Sequence, residues 1–209
     1  MNGWIGIGSM IVATQSYETT DPTVDSQIVA LQASGADVLL IAAIPKFTTL
    51  AIRKVYDIGW RPTEFLNSVS TSVVTVMKPA GVEKGVGAIS AAYNKDPSDP
   101  QWQDTPEYKE WLSWMRKYNP SGNLTDALTV YGYGAAQTLV TVLKASGDNL
   151  TRANVMKQAA SLHDLTLPML LPGISLSTSA SNYAPMKQMQ LQKFDGTNWK
   201  LFGEVISGD

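Results

Sequence analysis

ADVLLIAAIPKFTTLAIRKVYDIGWRPTEFLNSVSTS, from Ala36 to Ser72, reads as one strand–helix–strand unit. Val38–Ile44 is a continuous apolar run, too short for a typical helix and introduced by Gly35, which predicts a parallel strand buried on both faces. Phe47, Leu50, Ala51, Val55 and Ile58 then recur at spacings of three and four, opposite Thr49, Arg53, Lys54 and Asp57. That is an amphipathic helix closed by Gly59. After Arg61-Pro62 the chain returns as a second short strand, Glu64–Asn67. A right-handed crossover brings both strand ends to one sheet edge, where ligands of open α/β sheets collect. The residues so placed are Ala43, Ile44, Pro45, Lys46 and Phe47 on one side and Asn67, Ser68, Val69 and Ser70 on the other.

Working outward, Met10–Glu18 reads as a strand and Val24–Ala33 as a helix buried through Val24, Ile28 and Leu31. Downstream, Ser70 or Thr71 can cap a short helix that runs through Met77 and stops at Lys78-Pro79-Ala80-Gly81. Val86–Tyr93 is a further strand, so the order to this point is that of a parallel sheet covered by helices. Thr105-Pro106-Glu107 opens a helix with a packing stripe of Tyr108, Trp111, Leu112, Met115 and Tyr118. A longer helix over Thr125–Ala145 presents Leu128, Tyr131, Ala135, Leu139 and Val142 on one face. In it Gly132 and Gly134 leave room for the close approach of another backbone or a ligand. Thr151 caps another helix through Leu162, and Lys187–Phe194 and Lys200–Ile206 flank a hairpin turn at Asp195-Gly196-Thr197-Asn198. The character of the chain changes near residue 120, from alternating β and α to helices and then antiparallel β.

Composition excludes several functions. A net charge of −2 without a Lys/Arg cluster argues against nucleic-acid binding. The absence of cysteine removes disulfides, thiol catalysis and thiolate metal sites. Gly6-Ile7-Gly8 lacks both the preceding strand and the third glycine of a dinucleotide loop, and no GxSxG, HExxH or phosphate-loop motif is present. His163 is the single histidine, so a hydrolase would need Ser161 or another serine and a carboxylate to converge on it. No metal-ligand spacing occurs, and the chain is not expected to be an enzyme or to carry a cofactor. The opening MNGWIGIGSM lacks the basic region and long apolar core of a secretory signal.

Asp21–Ile28 (DPTVDSQI), Gly35–Leu40 (GADVLL), Pro45-Lys46-Phe47 with Ala51–Lys54, and Leu128–Val142 (LTVYGYGAAQTLVTV) together resemble the branched-chain-amino-acid-type periplasmic binding proteins of ABC importers. Leu167–Gly173 and Phe194-Asp195-Gly196 with Trp199 look like the same family. The resemblance implies a type I α/β fold of two lobes that close over a small solute in an interlobe cleft and are then recognised by the membrane permease. It implies that residues 10–120 are most of the second lobe, 124–184 a returning piece of the first, and 185–209 a last return to the second. The start of the first lobe, and the strand and helix that open the second, have no counterpart in the sequence. Ligand contacts carried over from the family fall on Ile44, Pro45, Ser68, Val69 and Ser70, and Ala43 and Phe47 join them as candidates from their place at the sheet edge. Amino-acid-binding members carry an acid near Val69 to hold the ligand's ammonium group, whereas no Asp or Glu occurs from Leu66 to Val76. This departure, with Ile44 standing where relatives often offer an aromatic or hydroxyl group, favours a solute with an apolar body, such as an aromatic or aliphatic carboxylate, and a branched-chain amino acid stays open. The resemblance also implies a periplasmic location. A ligand-sensing module of a receptor or regulator shares the fold and is the alternative, but no helix-turn-helix or basic region accompanies it here. With lobe partners missing, the 125–184 helices would leave Tyr131, Leu139 and Val142 uncovered, so the chain is expected to form a twofold dimer through them.

Overall fold

The computed structural model describes residues 10–208 and divides into two compact units. One comprises residues 10–91 with Gln192–Phe202, the other Ala92–Leu191 with Gly203–Gly208. The division falls within strands, at 91/92, 191/192 and 202/203. The reading of Gly6-Ile7-Gly8 lies outside the described residues.

In the first unit α1 (Asp25–Ala33), with Val24 before it, buries Val24 and Ile28. β1 (Val38–Ile41), α2 (Pro45–Asp57) and β2 (Thr63–Leu66) form the expected unit, the strands parallel with Val38 opposite Thr63 and Ile41 opposite Leu66. Pro45 stands in the first turn of α2, where its missing N–H costs nothing. Phe47, Ala51, Ile52 and Val55 are buried beneath it, and Gly59 reverses the chain at φ 71°. A 3₁₀ turn over Ser68–Ser70 follows β2. The next helical segment, a π turn over Val73–Met77 running into α3 (Lys78–Ala80), is capped by Ser72, whose Oγ accepts from Thr75 N at 3.2 Å. The cap thus lies beyond Ser70 and Thr71, and Pro79 continues the helix because it falls in the opening turn of α3. β3 (Ile89–Ala92) pairs parallel with β2 through Phe65 and Ile89. β4 (Gln188–Phe194) and β5 (Trp199–Ser207) complete a sheet in the order β1-β2-β3-β4-β5. Their turn forms as expected: Asp195 Oδ1 accepts from Thr197 N at 2.8 Å and Asn198 N at 2.7 Å, and Gly196 takes φ 98°.

The second unit is held by α4 (Pro100–Gln103), α5 (Pro106–Tyr118), α6 (Ala127–Ser146) and α7 (Arg152–Ala159). Trp111 and Met115 of α5 pack with Val130 and Tyr133 of α6 and with Met169. Lys95 is buried here; its Nζ donates to Pro168 O at 2.9 Å and lies 3.6 Å from Glu107.

Four expectations are corrected. β1 is not buried on both faces: Leu39 and Ile41 are covered, while Val38 is 50% and Leu40 66% exposed. An apolar run records that a strand can be buried, not that a helix is present to cover each face. Met10–Glu18 is not a strand, because a strand exists through its ladder and no described residue pairs with this segment. On α6, Val130, Tyr133, Val142 and Ser146 are the buried residues, and Leu128, Tyr131, Ala135 and Leu139 face solvent. Gly132 meets nothing within 4 Å and Gly134 only Leu167 at 3.7 Å, so neither marks a close backbone approach.

Candidate functional site

The carboxyl ends of β1 and β2 meet on one atom. The carbonyl oxygen of Ala43 accepts from Ser70 Oγ at 2.5 Å, Thr48 Oγ1 at 3.1 Å and Asn67 Nδ2 at 3.4 Å. Those donors come from the turn after β2, from α2 and from the end of β2, so the segments singled out in the sequence are tied at one sheet edge. Ile44 N–H donates to the Tyr17 hydroxyl at 3.0 Å, and the Trp199 indole donates to Thr71 O at 2.6 Å, fixing both flanks.

The seven sequence-derived residues divide by depth. Ile44 is 45% and Val69 52% exposed, and Pro45 and Ser68 are half-buried. These four make the accessible surface. Ala43, Phe47 and Ser70 lie beneath it at 8%, 1% and 0% exposure, and serve as scaffold. Phe47 stacks on Tyr17 with ring centroids 4.3 Å apart, which turns its side chain into the core. Sequence reading passes over Tyr17, distant in the chain, and the acceptor role of Asn67. Asn67 Oδ1 is buried and has no hydrogen-bond partner among the described residues, an acceptor left over at this edge. Its position as the last residue before the turn was the available signal.

The surface offers two apolar side chains, a hydroxyl and backbone groups, without an ionised group among Leu66–Val76. It can bind and orient an apolar body but supplies no acid–base pair. The hydrolase arrangement does not assemble: the Ser161 hydroxyl donates to Lys157 O and Gln158 O, and His163 is exposed with no bond to a serine among the described residues. No group of metal-ligating side chains is found among the described residues. No helix there is long and apolar enough to cross a membrane.

The family model described as "Periplasmic binding protein" matches residues 6–198. Among curated proteins, none matches the chain. A branched-chain amino acid ABC transporter protein from Thermus thermophilus, solved with bound valine, is similar over 95% of this chain and 53% of its own, with 13% identity and a TM-score of 0.77. An extracellular ligand-binding receptor from Rhodopseudomonas palustris gives 16% identity and a TM-score of 0.73 over 97% of this chain and 58% of its own. A fatty acid ABC transporter substrate-binding protein from Thermomonospora curvata gives 20% identity and a TM-score of 0.65, covering 92% and 49%. The chain therefore spans about half the length of these structures and shares their fold, the type I periplasmic-binding-protein fold. The family and these neighbours are solute-binding proteins, not enzymes, and the family is extracytoplasmic. By a match over most of its length, the chain belongs to the periplasmic binding protein family.

Proposed function

We propose that the chain contributes one wall of the solute site of an ABC importer's binding subunit, and that the solute is an aliphatic or aromatic carboxylate. What supports this is the exposed apolar pair Ile44 and Val69, at a strand-end edge braced beneath by the Ala43 carbonyl, with no Asp or Glu from Leu66 to Val76. An ammonium group placed there would lose water and find no counter-charge. One structural neighbour was solved with bound valine and another is a fatty acid ABC transporter substrate-binding protein, so the fold accommodates both choices. The 209-residue chain should bind 4-methylpentanoate or phenylacetate more tightly than leucine, followed by amide shifts at Ile44, Ser68 and Val69. Val69→Glu should move the preference toward leucine by about fivefold, because a half-exposed ion pair is worth about 1 kcal/mol. An unchanged ratio would count against this ligand class.

The same reading covers the assembly. Leu128, Tyr131 and Leu139 form an exposed stripe along α6, extended by Val140 and Leu143. A stripe of this kind is seldom left wet, and a second copy of the chain is its simplest cover. Light scattering across a concentration series should give twice 22.6 kDa. Leu139→Glu should shift the protein toward the single mass. A wild-type chain that stays monomeric at high concentration would end the dimer proposal.

A further inference from the structure

Asn67 stands at the N-terminal position of the Ser68–Ser70 turn, where an asparagine ordinarily turns its side-chain oxygen onto the backbone N–H two or three residues ahead. In this turn the side chain makes no such cap, and backbone alone closes it, Ser70 N donating to Asn67 O at 3.2 Å. The amide is directed instead toward the end of β1, where Nδ2 donates to Ala43 O at 3.4 Å. A carbonyl oxygen only accepts, so this contact decides which end of the amide is nitrogen. Oδ1 is left on the other side, buried and without a donor among the described residues. The nitrogen's own bond is the longest of three on one acceptor. Ala43 O has two lone pairs and already receives Ser70 Oγ at 2.5 Å and Thr48 Oγ1 at 3.1 Å. The Asn67 amide is therefore the polar group of this edge that loses least by turning to a solute, and its oxygen is the one that lacks a partner.

We infer that Asn67 determines specificity at the solute wall by reading a hydroxyl on the carbon next to the carboxylate, so that the solute is a 2-hydroxycarboxylate with an apolar body. The inference rests on the solute reading given above. A side-chain amide presents an N–H and a C=O side by side. A 2-hydroxycarboxylate presents the complementary pair, a carboxylate oxygen that accepts and a hydroxyl that donates, and the two close a ring of paired hydrogen bonds. Turned to the solute, Asn67 gives up only the 3.4 Å bond, and Ala43 O keeps its two hydroxyl donors. Ile44 and Val69, the exposed apolar side chains of the same edge, remain to hold the hydrocarbon body. An ammonium in place of the hydroxyl would bring one proton to Oδ1 but leave its other protons and its charge unmatched, since no Asp or Glu occurs from Leu66 to Val76. A carboxylate without the hydroxyl would leave Oδ1 still lacking a donor.

The test titrates the unmodified chain and its Asn67→Ala variant with leucine, 4-methylpentanoate and each enantiomer of 2-hydroxy-4-methylpentanoate, following backbone and side-chain amide resonances. The better enantiomer should bind the unmodified chain at least tenfold more tightly than 4-methylpentanoate, a difference of about 1.4 kcal/mol, and should move the Asn67 side-chain amide signals. In Asn67→Ala the two acids should bind within about threefold of each other. Equal affinities in the unmodified chain, with shifts at Ile44, Ser68 and Val69 for both acids, overturn the role of Asn67 and leave the carboxylate reading standing. A hydroxyl preference that survives in Asn67→Ala, or that leaves the Asn67 side-chain signals unmoved, assigns the hydroxyl to another acceptor and overturns it too. Leucine binding more tightly than both acids, or no binding by any of them at millimolar concentration, overturns the carboxylate reading and this inference with it. If the variant unfolds, the tenfold ratio and the Asn67 side-chain signals of the unmodified chain decide the matter alone.

Discussion

Phe47→Ala is expected to cost about 3–5 kcal/mol of unfolding free energy, the usual range for removing a fully buried aromatic ring. The side chain is 1% exposed and packs in the core with Val24, Ile28 and Val55, against the ring of Tyr17. Removal leaves a cavity under α2, and Tyr17 loses the contact that aims its hydroxyl at Ile44. Since small domains hold only about 5–15 kcal/mol in total, the variant should lose a large fraction of the first unit's stability. Urea denaturation followed by hydrogen exchange at Ile52 and Leu39 measures it. A denaturation midpoint equal to the wild type, with only solute affinity reduced, would return Phe47 to the binding surface.

A second large effect comes from Glu64. Its carboxyl lies on the covered face of the sheet, beside Leu66, and Oε2 is buried without a partner among the described residues. Burial raises its pKa from 4.5 to about 7, against a smaller opposing pull from Arg61. A carboxyl whose folded pKa exceeds its unfolded one favours the folded state when protonated. Its contribution is therefore complete below about pH 4.5 and is lost as the pH rises through about 7. The loss amounts to about 3 kcal/mol. Glu64→Gln should thus be more stable than wild type by up to that amount at pH 8 and nearly equal at pH 4.5. Denaturation curves at the two pH values decide it; equal stabilities at pH 8 would mean the carboxylate is solvated in the folded protein.

What could be read from the sequence follows from what each signal encodes. The pairing of β1 with β2, the helix between them and the closing hairpin rest on local patterns: a short apolar run, a 3.6-residue stripe and Asp195-Gly196. Those survive whatever surrounds them. The exposed face of β1 could not be read, because Val38 and Leu40 are as apolar as Leu39 and Ile41, and only the tertiary structure distinguishes covered from uncovered. On α6 apolar residues occur on every side, so the periodicity admitted two stripes and tertiary contact with Trp111 and Met115 chose Val130 and Tyr133. At the candidate site the two sheet-end segments were legible, but depth was not. Phe47, buried with the α2 stripe, also packs against Tyr17, 30 residues earlier in the chain, while Ile44 just before the helix stays outside.

The division of the chain also sets a timetable for its biosynthesis. The first unit is assembled from residues up to Ala91 and from Gln192–Phe202, and Phe194 and Trp199 complete its core. During translation about a hundred residues emerge between those two parts, an interval on the order of 5–20 s at ordinary ribosomal speeds. For that time β3 has β2 on one side and nothing for its other edge, since Phe194 N has yet to reach Ala88 O. Throughout it a nascent sheet with an open rim would be exposed to neighbouring chains on the same polysome. The helices of the second unit meanwhile have all the residues they need. The part made first is the part finished last.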